Sequence, residues 1–452
     1  MGVGRGVLIA LLAATSLFAA EEEVSKVDFV IAQEISNDLV VAAPNSGPDT
    51  QGFISAGDFG PEGDDYIDPR VLRDFIESRG LIRCRQKEGA LTIAGDVRAR
   101  WNVVGEKADG AKQRGTGTNV AVNQFKSEVN LFLDYAAPRT WVSTKLKWVN
   151  YDGKDGGTAT KTEMDRAFIG FDFHNVKETD AYIEIGRSKL DYIFESRVEF
   201  TSTFDGIHLF YTTPWPSVGV FTIHGGPFII DSTTNHYGWA VETFVSKWMA
   251  TGMNFKYSII DWHRHSPTKN YGNLSESGTF TVVDNPRYRF IVSQMLFGYE
   301  RKLPWVHCKT LYAYAAVLAN HDAKRTKATN WEKLNGAWYI GFTLGKLCKA
   351  GDWSIDLNYQ SVGAQAVPEF DLAGMGHGNA ANLLLSDAIL LGLGANGAIG
   401  FTNYKGWEAS ALFAVSDSLS LRARAARTVP RNQSVGNNFR YKTFDMTVIY
   451  AF

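Results

Sequence analysis

The sequence predicts an all-β fold, a transmembrane antiparallel β-barrel of about sixteen strands. Three observations support this prediction. Apolar and polar side chains alternate over many consecutive segments, long and short connections alternate between those segments, and the last strand ends the chain on an aromatic residue, Phe452. A strict period of two is typical of a strand with one apolar face. A closed barrel leaves no such strand with an open edge in lipid.

Residues 1–20 are predicted to form a secretory signal peptide. Arg5 supplies a positive charge, Val7–Ala14 is a short apolar run, and Leu17–Ala20 precedes the acidic run Glu21–Glu23. The apolar run is too short to span a membrane as a stable helix, which favours an export signal over a membrane anchor.

Residues 21–89 are predicted to form a periplasmic linker with one short helix. Residues 43–68 are rich in Gly, Pro, Asp and Ser and have no periodicity, as flexible linkers do. Apolar residues at helical spacing then follow Pro69 and stop before Gly80, namely Val71, Leu72, Phe75 and Ile76.

Residues 90–452 are predicted to form the barrel. No apolar run of about 18 residues follows the signal segment, which argues against helical membrane spans. Alternating segments continue to the C-terminus. We place the strands at Leu91–Val103, Gln124–Tyr135, Thr140–Asn150, Met164–Phe173, Ala181–Arg187, Gly206–Thr212, Val218–His224, His236–Lys247, Thr251–Trp262, Arg287–Lys302, His307–Leu318, Asn335–Leu347, Asp352–Val362, Tyr404–Val415, Ser418–Val429 and Arg440–Phe452.

The strands carry one apolar and one charged face. A charge that faces lipid costs about 2–4 kcal/mol near the bilayer midplane, so the charged face must line the interior. Inward-phase basic residues fall on neighbouring strands once the last strand is placed beside the first, namely Arg98, Arg100, Lys126, Lys145, Lys147, Arg422 and Arg424. A barrel of this width with a polar interior holds water and is expected to be a pore.

The connections between strands alternate in length. The short ones include 136–139, 213–216, 303–305 and 349–351. The long ones are Gly105–Val120, Tyr151–Thr162, Ser188–Asp205, His263–Pro286, Asn320–Lys333, Gly363–Phe401 and Pro430–Asn438. In outer-membrane barrels the short turns are periplasmic and the long loops extracellular, and an even strand count leaves both termini in the periplasm.

The last strand has large apolar residues at every second position, ending Val448, Tyr450, Phe452. This pattern resembles the C-terminal assembly signal of Gram-negative outer-membrane barrel proteins. Over residues 90–452 the chain resembles general diffusion porins, in architecture more than in a specific motif. The resemblance implies outer-membrane lipid and the barrel-assembly machinery as partners, and a homotrimer. It also implies that the third extracellular loop folds into the lumen, where its acidic residues face a basic wall.

The third long connection, Ser188–Asp205, carries the candidate constriction residues Asp191, Glu195 and Glu199. Tyr192, Phe194 and Phe200 are available to pin this loop to the wall. An acidic loop opposite the basic sector would create a transverse field in the lumen. Alternatively, the basic residues pair with Asp96, Glu128 and Asp134 and simply solvate a wide lumen.

The function that these features predict is an outer-membrane porin, a water-filled channel for passive diffusion of small hydrophilic solutes and ions. One alternative is a substrate-selective channel for a sugar, an anion or an amino acid, guided by Tyr192, Phe194 and Phe200. Another is a structural or adhesive surface barrel whose lumen is closed. The apolar segment Ala381–Leu393 in the longest loop is predicted to cap the barrel.

Other classes of function lack a signal. No Ser/His/Asp or Cys/His constellation predicts an enzyme, and no cofactor or metal is expected. Asp261, His263 and His265 lack a clear third and fourth ligand. The formal net charge of −2 argues against a nucleic-acid partner. Three cysteines are too few for a disulfide framework, and the strand phase places Cys308 inward and Cys348 outward.

Overall fold

The computed structural model describes residues 82–86, 89–108, 110–113, 123–154, 157–176, 179–231, 236–249, 251–262, 272–274, 280–282, 290–304, 309–323, 325, 331–368, 371–372, 375, 402–435 and 438–452. The predicted signal peptide, the predicted helix after Pro69, residues 263 and 265, residue 308 and residues 381–393 lie outside these ranges.

The described residues contain one short helix, α1 (Leu190–Ile193), and twenty strands. The strands are β1 (Ile82–Gln86), β2 (Gly89–Ala108), β3 (Ala111–Gln113), β4 (Asn123–Ala136), β5 (Thr140–Lys154), β6 (Gly157–Val176), β7 (Thr179–Lys189), β8 (Thr203–Trp215), β9 (Gly219–Asp231), β10 (His236–Trp248), β11 (Met253–Asp261), β12 (Gly272–Leu274), β13 (Phe280–Val282), β14 (Ile291–Leu303), β15 (Lys309–Asn320), β16 (Gly336–Leu344), β17 (Trp353–Val362), β18 (Tyr404–Ala414), β19 (Leu419–Pro430) and β20 (Phe439–Ala451).

All of these strands except β1, β3, β12 and β13 form a closed 16-strand antiparallel barrel. The seam lies between β20 and β2, which pair from Asp96 opposite Ala451 to Ala108 opposite Phe439. At its lower end the backbones of Gly95 and Phe452 exchange two hydrogen bonds of 2.9 Å. The predicted fold class is confirmed, and each of the predicted strands coincides with one barrel strand.

The outer surface of the barrel is apolar. Ile169, Phe297 and Ile340 are each more than half exposed, although they lie in the middle of strands. Exposed apolar residues recur at every second position on strands around the barrel, a contiguous apolar surface of a kind that soluble monomers rarely expose. Trp239, Trp338 and Trp407 lie toward the long-loop ends of their strands, and Trp215 and Trp248 lie at the short-turn ends. Such a band between two aromatic girdles is typical of a lipid-facing barrel wall.

Helices contribute no membrane span in the part of the chain that the structure describes, since none there is long and apolar enough to cross a bilayer.

The prediction of a long loop at Tyr151–Thr162 is wrong. β5 continues to Lys154 and β6 begins at Gly157, and the two strands pair up to this short connection. The threonines at 158, 160 and 162 favour the extended backbone of a strand, although glycines stand at 153, 156 and 157. The first predicted long loop, Gly105–Val120, is also partly strand, because β2 reaches Ala108 and pairs with β3.

The end of the predicted linker also forms a strand. β1 pairs with the start of β2, with Ile82 opposite Ile93 and Gln86 opposite Gly89. It lies on the same edge of β2 as β20 and begins just where β20 ends. The first residues of β2, which β20 does not reach, therefore pair with β1 and do not leave an open strand edge.

The exposed apolar band predicts that the stability lost on introducing an outward-facing charge depends strongly on where the charge lies along the strand. The Ile340→Arg variant should lose about 2–4 kcal/mol of unfolding free energy in lipid vesicles, because the side chain lies mid-strand on the lipid face. The Met249→Arg variant, in the short turn after β10, should lose about 0–1 kcal/mol. Denaturant titration in vesicles of both variants measures this. Equal losses would show that the outer face does not lie in lipid.

Candidate pore constriction

The connection between β7 and β8 folds into the barrel. It consists of α1 followed by residues 194–202, and it is the third connection at the long-loop end. Leu190, Val198 and Phe200 are at most 1% exposed. They belong to an apolar cluster with inward side chains of the wall, among them Phe228, Ile260, Val292, Leu296 and Tyr339. We call residues 190–202 the inner loop.

Glu195 of the inner loop binds three wall strands. Its carboxylate lies 2.5 Å from Lys256 Nζ on β11 and accepts a 3.2 Å hydrogen bond from the Tyr312 hydroxyl on β15. Its backbone carbonyl accepts a 2.7 Å hydrogen bond from Gln294 on β14. This wall lies across the barrel from the β2–β20 seam, so Glu195 fixes the loop on the far side of the lumen.

Arg197 fixes the loop to the next part of the same wall. Its guanidinium lies 3.3 Å from Asp356 on β17 and 4.8 Å above the centre of the Tyr314 ring. Gln360, also on β17, donates a 3.0 Å hydrogen bond to the Arg197 carbonyl. Asp356 is 1% exposed, so Arg197 supplies the counter-ion of a buried carboxylate.

Asp371, from the connection between β17 and β18, holds the end of the inner loop. It accepts backbone hydrogen bonds from Phe200 at 3.0 Å and Ser202 at 2.9 Å. Phe200 has a left-handed backbone with φ of 80°, which the two flanking hydrogen bonds stabilise. Burial raises the pKa of the Asp371 carboxyl to about 7, although the hydrogen bonds lower it in part. Burial, with the nearby charges of Asp371 and Glu242, also raises the pKa of Glu199 well above its usual value.

A buried polar row runs under the inner loop along β7 to β10. Glu184 lies 3.1 Å from His208, whose other ring nitrogen lies 3.4 Å from His224, and His224 lies 3.3 Å from Glu242. Phe194 stacks on the His224 ring at 5.2 Å. Sequence reasoning missed this row, although the inward phase of these four residues on consecutive strands could have indicated it.

The aromatic residues predicted to pin the loop do so. Phe194 and Phe200 lie in the apolar cluster. The Tyr192 hydroxyl accepts a 3.3 Å hydrogen bond from Lys145 on β5 and donates one of 3.4 Å to Asp165 on β6. Asp191, beside it, is also buried. The loop therefore reaches both sides of the lumen at its start.

The seven predicted basic wall residues all face inward, and most of them pair with neighbouring acids. Arg98 lies 2.7 Å from Asp96 and 3.7 Å from Glu128. These contacts agree with the alternative prediction that the basic residues pair with acidic residues of the wall. The other closest described pairs are Lys126 with Glu128 at 3.2 Å, Lys145 with Asp165 at 2.8 Å, Arg424 with Glu408 at 2.7 Å, and Arg100 and Arg422 with Asp445 at 3.4 and 3.3 Å. Lys147 is buried on the same face of β5 as Lys145.

Buried charges are nevertheless segregated across the barrel. Among the described residues, β2, β4–β6 and β18–β20 carry six buried basic and five buried acidic side chains, namely Arg100, Lys145, Lys147, Arg166, Arg422 and Arg424 with Asp96, Glu128, Asp165, Glu408 and Asp445. The rest of the wall and the inward connections carry one buried base and six buried acids, namely Arg197 with Glu184, Asp191, Glu199, Glu242, Asp356 and Asp371. We call the first set of strands the basic sector.

Comparisons with known proteins give a likeness in structure only. No protein-family model matches the sequence, and no curated protein matches it. Similar solved structures include OmpF of Salmonella typhi in complex with daunomycin, at 12% identity and a TM-score of 0.47, covering 82% of this chain and 100% of that one. OprB of Pseudomonas putida at high pH has 8% identity and a TM-score of 0.49, covering 81% and 94%. A triple mutant of the Rhodopseudomonas blastica porin has 9% identity and a TM-score of 0.38, covering 80% and 100%.

The porin-like architecture of the chain rests on its own topology, a closed 16-strand barrel with one connection folded inside.

Two Arg–Asp pairs predict contrasting effects of the same substitution. Arg197→Met leaves the buried Asp356 without its guanidinium, and the unfolding free energy should fall by about 3–5 kcal/mol. Arg187→Met breaks the exposed pair with Asp205, at 2.7 Å, and should cost less than about 1 kcal/mol. Urea titration of both variants distinguishes them. A similar small loss at both sites would mean that Arg197 does not anchor the loop.

The raised pKa of Asp371 predicts a pH dependence. Its pKa of about 7 in the folded protein exceeds its ordinary value of 3.8. The folded state thus binds more protons than the unfolded state between these values, so stability contributed by this group falls as pH rises through that window. In Asp371→Asn, the urea concentration at the unfolding midpoint should change less with pH between about pH 4 and about pH 7. Asp417→Asn, in the exposed turn before β19, should retain the pH dependence; an unchanged slope in Asp371→Asn would contradict the assignment.

Proposed function

We propose that the chain is an outer-membrane porin, a channel for passive diffusion of small hydrophilic solutes and ions. The observation that carries the proposal is the fixation of most of the inner loop on β11 and β14–β17, away from the β2–β20 seam at the centre of the basic sector. A lipid-facing exterior combined with charged groups segregated across the interior favours an aqueous passage over a dry core.

The passage runs between the inner loop and the basic sector. Beyond its start, where Tyr192 contacts Lys145 and Asp165, the loop is anchored to β11 and β14–β17. These anchoring strands lie away from Arg98 and Lys126. Arg98 and Lys126 retain 13% and 14% side-chain exposure, more than their neighbours Lys145 and Arg422. Close ion pairs along this wall make the passage narrow and suit it to small polar solutes whose dipoles align in the transverse field.

The proposal places the short turns in the periplasm and the long connections at the cell surface. Outer-membrane lipid surrounds the apolar band, and the barrel-assembly machinery receives the C-terminal strand that ends at Phe452. We further propose a homotrimer, as the resemblance to general diffusion porins implies. Passive diffusion needs no cofactor and no catalytic group, so we propose no enzymatic activity.

A closed-lumen surface barrel is the second candidate, because the interior is densely packed. Besides the cluster around the inner loop, a second apolar cluster lies inside the barrel toward the short-turn end. It contains Ala94, Phe132, Leu347, Leu412, Ala414, Ile449 and Ala451. An apolar constriction of this kind can exclude water. The three aromatic rings that a substrate-selective channel would use as a track are buried as loop anchors.

Single-channel recording in a planar bilayer tests the proposal. Protein refolded without residues 1–20 should give steps of current that grow linearly with salt concentration, as expected for a water-filled pore. Absence of current from a folded, heat-modifiable barrel would favour the closed-lumen candidate. Current that saturates with salt or is blocked by one solute would favour a substrate-selective channel.

The basic sector predicts the direction of an ion-selectivity change. Arg98→Gln with Lys126→Gln removes two positive charges from the proposed passage and leaves Asp96 and Glu128 in place. The reversal potential in a salt gradient should shift toward cation selectivity. Arg301→Gln with Lys302→Gln, at the exposed short-turn end of β14, is the matched control and should leave it unchanged. A shift of equal size in both double variants would place the passage elsewhere.

A further inference from the structure

The buried row of Glu184, His208, His224 and Glu242, which we call the polar row, has no part in the proposed passage, although all four side chains can ionise. Each residue is at most 6% exposed. They lie on four consecutive strands, β7 to β10, under the inner loop. Buried polar groups need a hydrogen-bond partner, so the hydrogen bonds of the row limit how many protons it holds.

The donors of the polar row can be counted one by one. His208 Nδ1 lies 3.1 Å from Glu184 Oε2, and His224 Nε2 lies 3.3 Å from Glu242 Oε1. An ionised carboxylate can only accept, so each ring uses one N–H for its glutamate. A neutral imidazole has a single N–H. Two neutral rings would therefore point nitrogens without hydrogen at each other, His208 Nε2 and His224 Nδ1, across 3.4 Å.

One additional proton on His208 removes this conflict. The charged ring then donates to Glu184 and to His224, and His224 donates to Glu242, so every hydrogen bond of the row has a donor and an acceptor. Glu184 also accepts a 3.0 Å hydrogen bond from Trp141 Nε1, which favours its ionised form. The proton therefore belongs to the ring and not to the carboxyl group. A second proton, on His224, would remove the acceptor nitrogen and break the chain.

The charged groups that face the polar row favour one added proton. Lys256 Nζ on β11 lies 3.9 Å from Glu242, and Glu195 of the inner loop lies 2.5 Å from the same lysine and offsets its charge. Glu199 of the inner loop interacts electrostatically with Glu242 and with Asp371. These acidic groups outnumber the one lysine among them, so a positive charge inside the row lowers the repulsion between them.

The polar row is coupled to the inner loop at two points. Phe194 of the loop stacks on the His224 ring, with 5.2 Å between the ring centres. Lys256 lies between Glu242 of the row and Glu195 of the loop. A change in the orientation of the His224 ring or in the charge of the row therefore reaches the loop.

We propose that the polar row binds one proton, which makes His208 a buried imidazolium between two glutamates and positions the inner loop. His208 and Glu184 act through the His224 ring, so they are positioning residues and touch no solute. When the proton leaves at alkaline pH, the two facing nitrogens have no hydrogen between them, and the loop that packs on His224 should loosen. The proton site is independent of ion conduction, and only its effect on current rests on the proposed function.

Nitrogen-15 NMR of the full barrel in lipid, with labelled histidine, tests the proposal. An exposed histidine with its ordinary proton affinity is about 3% charged at about pH 8. His174 and His321, both exposed, should therefore have neutral rings at this pH. The wild type should retain one charged ring, assigned by its absence from the His208→Asn variant.

The Glu184→Gln variant supplies by its amide the hydrogen that the proton supplies in the wild type. The amide NH₂ donates to His208 Nδ1, and the amide oxygen still accepts from Trp141. The row then has all its donors with two neutral rings, so the charged-ring signal at about pH 8 should be lost while the loop stays fixed. Wild-type current should rise as pH increases beyond this value, whereas current through Glu184→Gln should stay constant.

The matched control is Glu300→Gln, at the exposed short-turn end of β14, which should keep both the charged ring and the pH dependence of the current. Heat-modifiable migration shows that each variant is folded. A wild type without a charged histidine ring at about pH 8, or a charged ring that persists in Glu184→Gln, would overturn the proposal. Equal pH dependence of current in Glu184→Gln and the control would overturn the positioning role. Absence of current from a folded barrel would contradict the proposed function, and the NMR result would still decide the proton site.

Discussion

Every backbone hydrogen-bonding group in the hydrocarbon of a membrane has to find a partner within the protein, and the rest of this structure depends on that constraint. The seam between β2 and β20 meets it, with paired residues along its length and reciprocal hydrogen bonds between Gly95 and Phe452. Closure through 16 strands separates two environments, and each strand then presents alternate side chains to lipid and to the interior. On the strands that the structure describes, the outward charges are consequently confined to the rims.

A barrel of this size encloses more space than its own inward side chains fill, and the inner loop occupies part of it. The loop combines apolar burial, through Leu190, Val198 and Phe200, with ion pairs through Glu195 and Arg197. Asp371 links it to the connection after β17. At the level of the inner loop, one side of the interior is thus a packed core, and the other side carries the ion-paired charges of the basic sector. That asymmetry is the physical basis of the proposed passage.

The alternation of apolar and polar side chains is a local property of the chain. The sequence alone therefore predicted the strands, their number and the inward direction of residues such as Arg98 and Arg422. The entry of the inner loop into the lumen was implied by the resemblance to general diffusion porins and was assigned to Ser188–Asp205 by its place in the strand order. Its partners could not be predicted, because they depend on the long-range register. Asp371 and Phe200 are 171 positions apart, and Glu195 meets Tyr312 across 117. The extended hairpin at Tyr151–Thr162 was missed, although its threonines favour the extended backbone that the pairing requires.

Water accessibility of single inward positions tests the central claim most directly. In a background with all three cysteines replaced by serine, cysteine is introduced at Lys126 in the basic sector or at Ser258 on the loop-anchoring wall, and a membrane-impermeant thiol reagent is added. The account predicts rapid labelling with a reduced current at Lys126 and slow labelling without effect on current at Ser258. Equal labelling of both positions, or labelling of Ser258 alone, would contradict a passage between the inner loop and the basic sector.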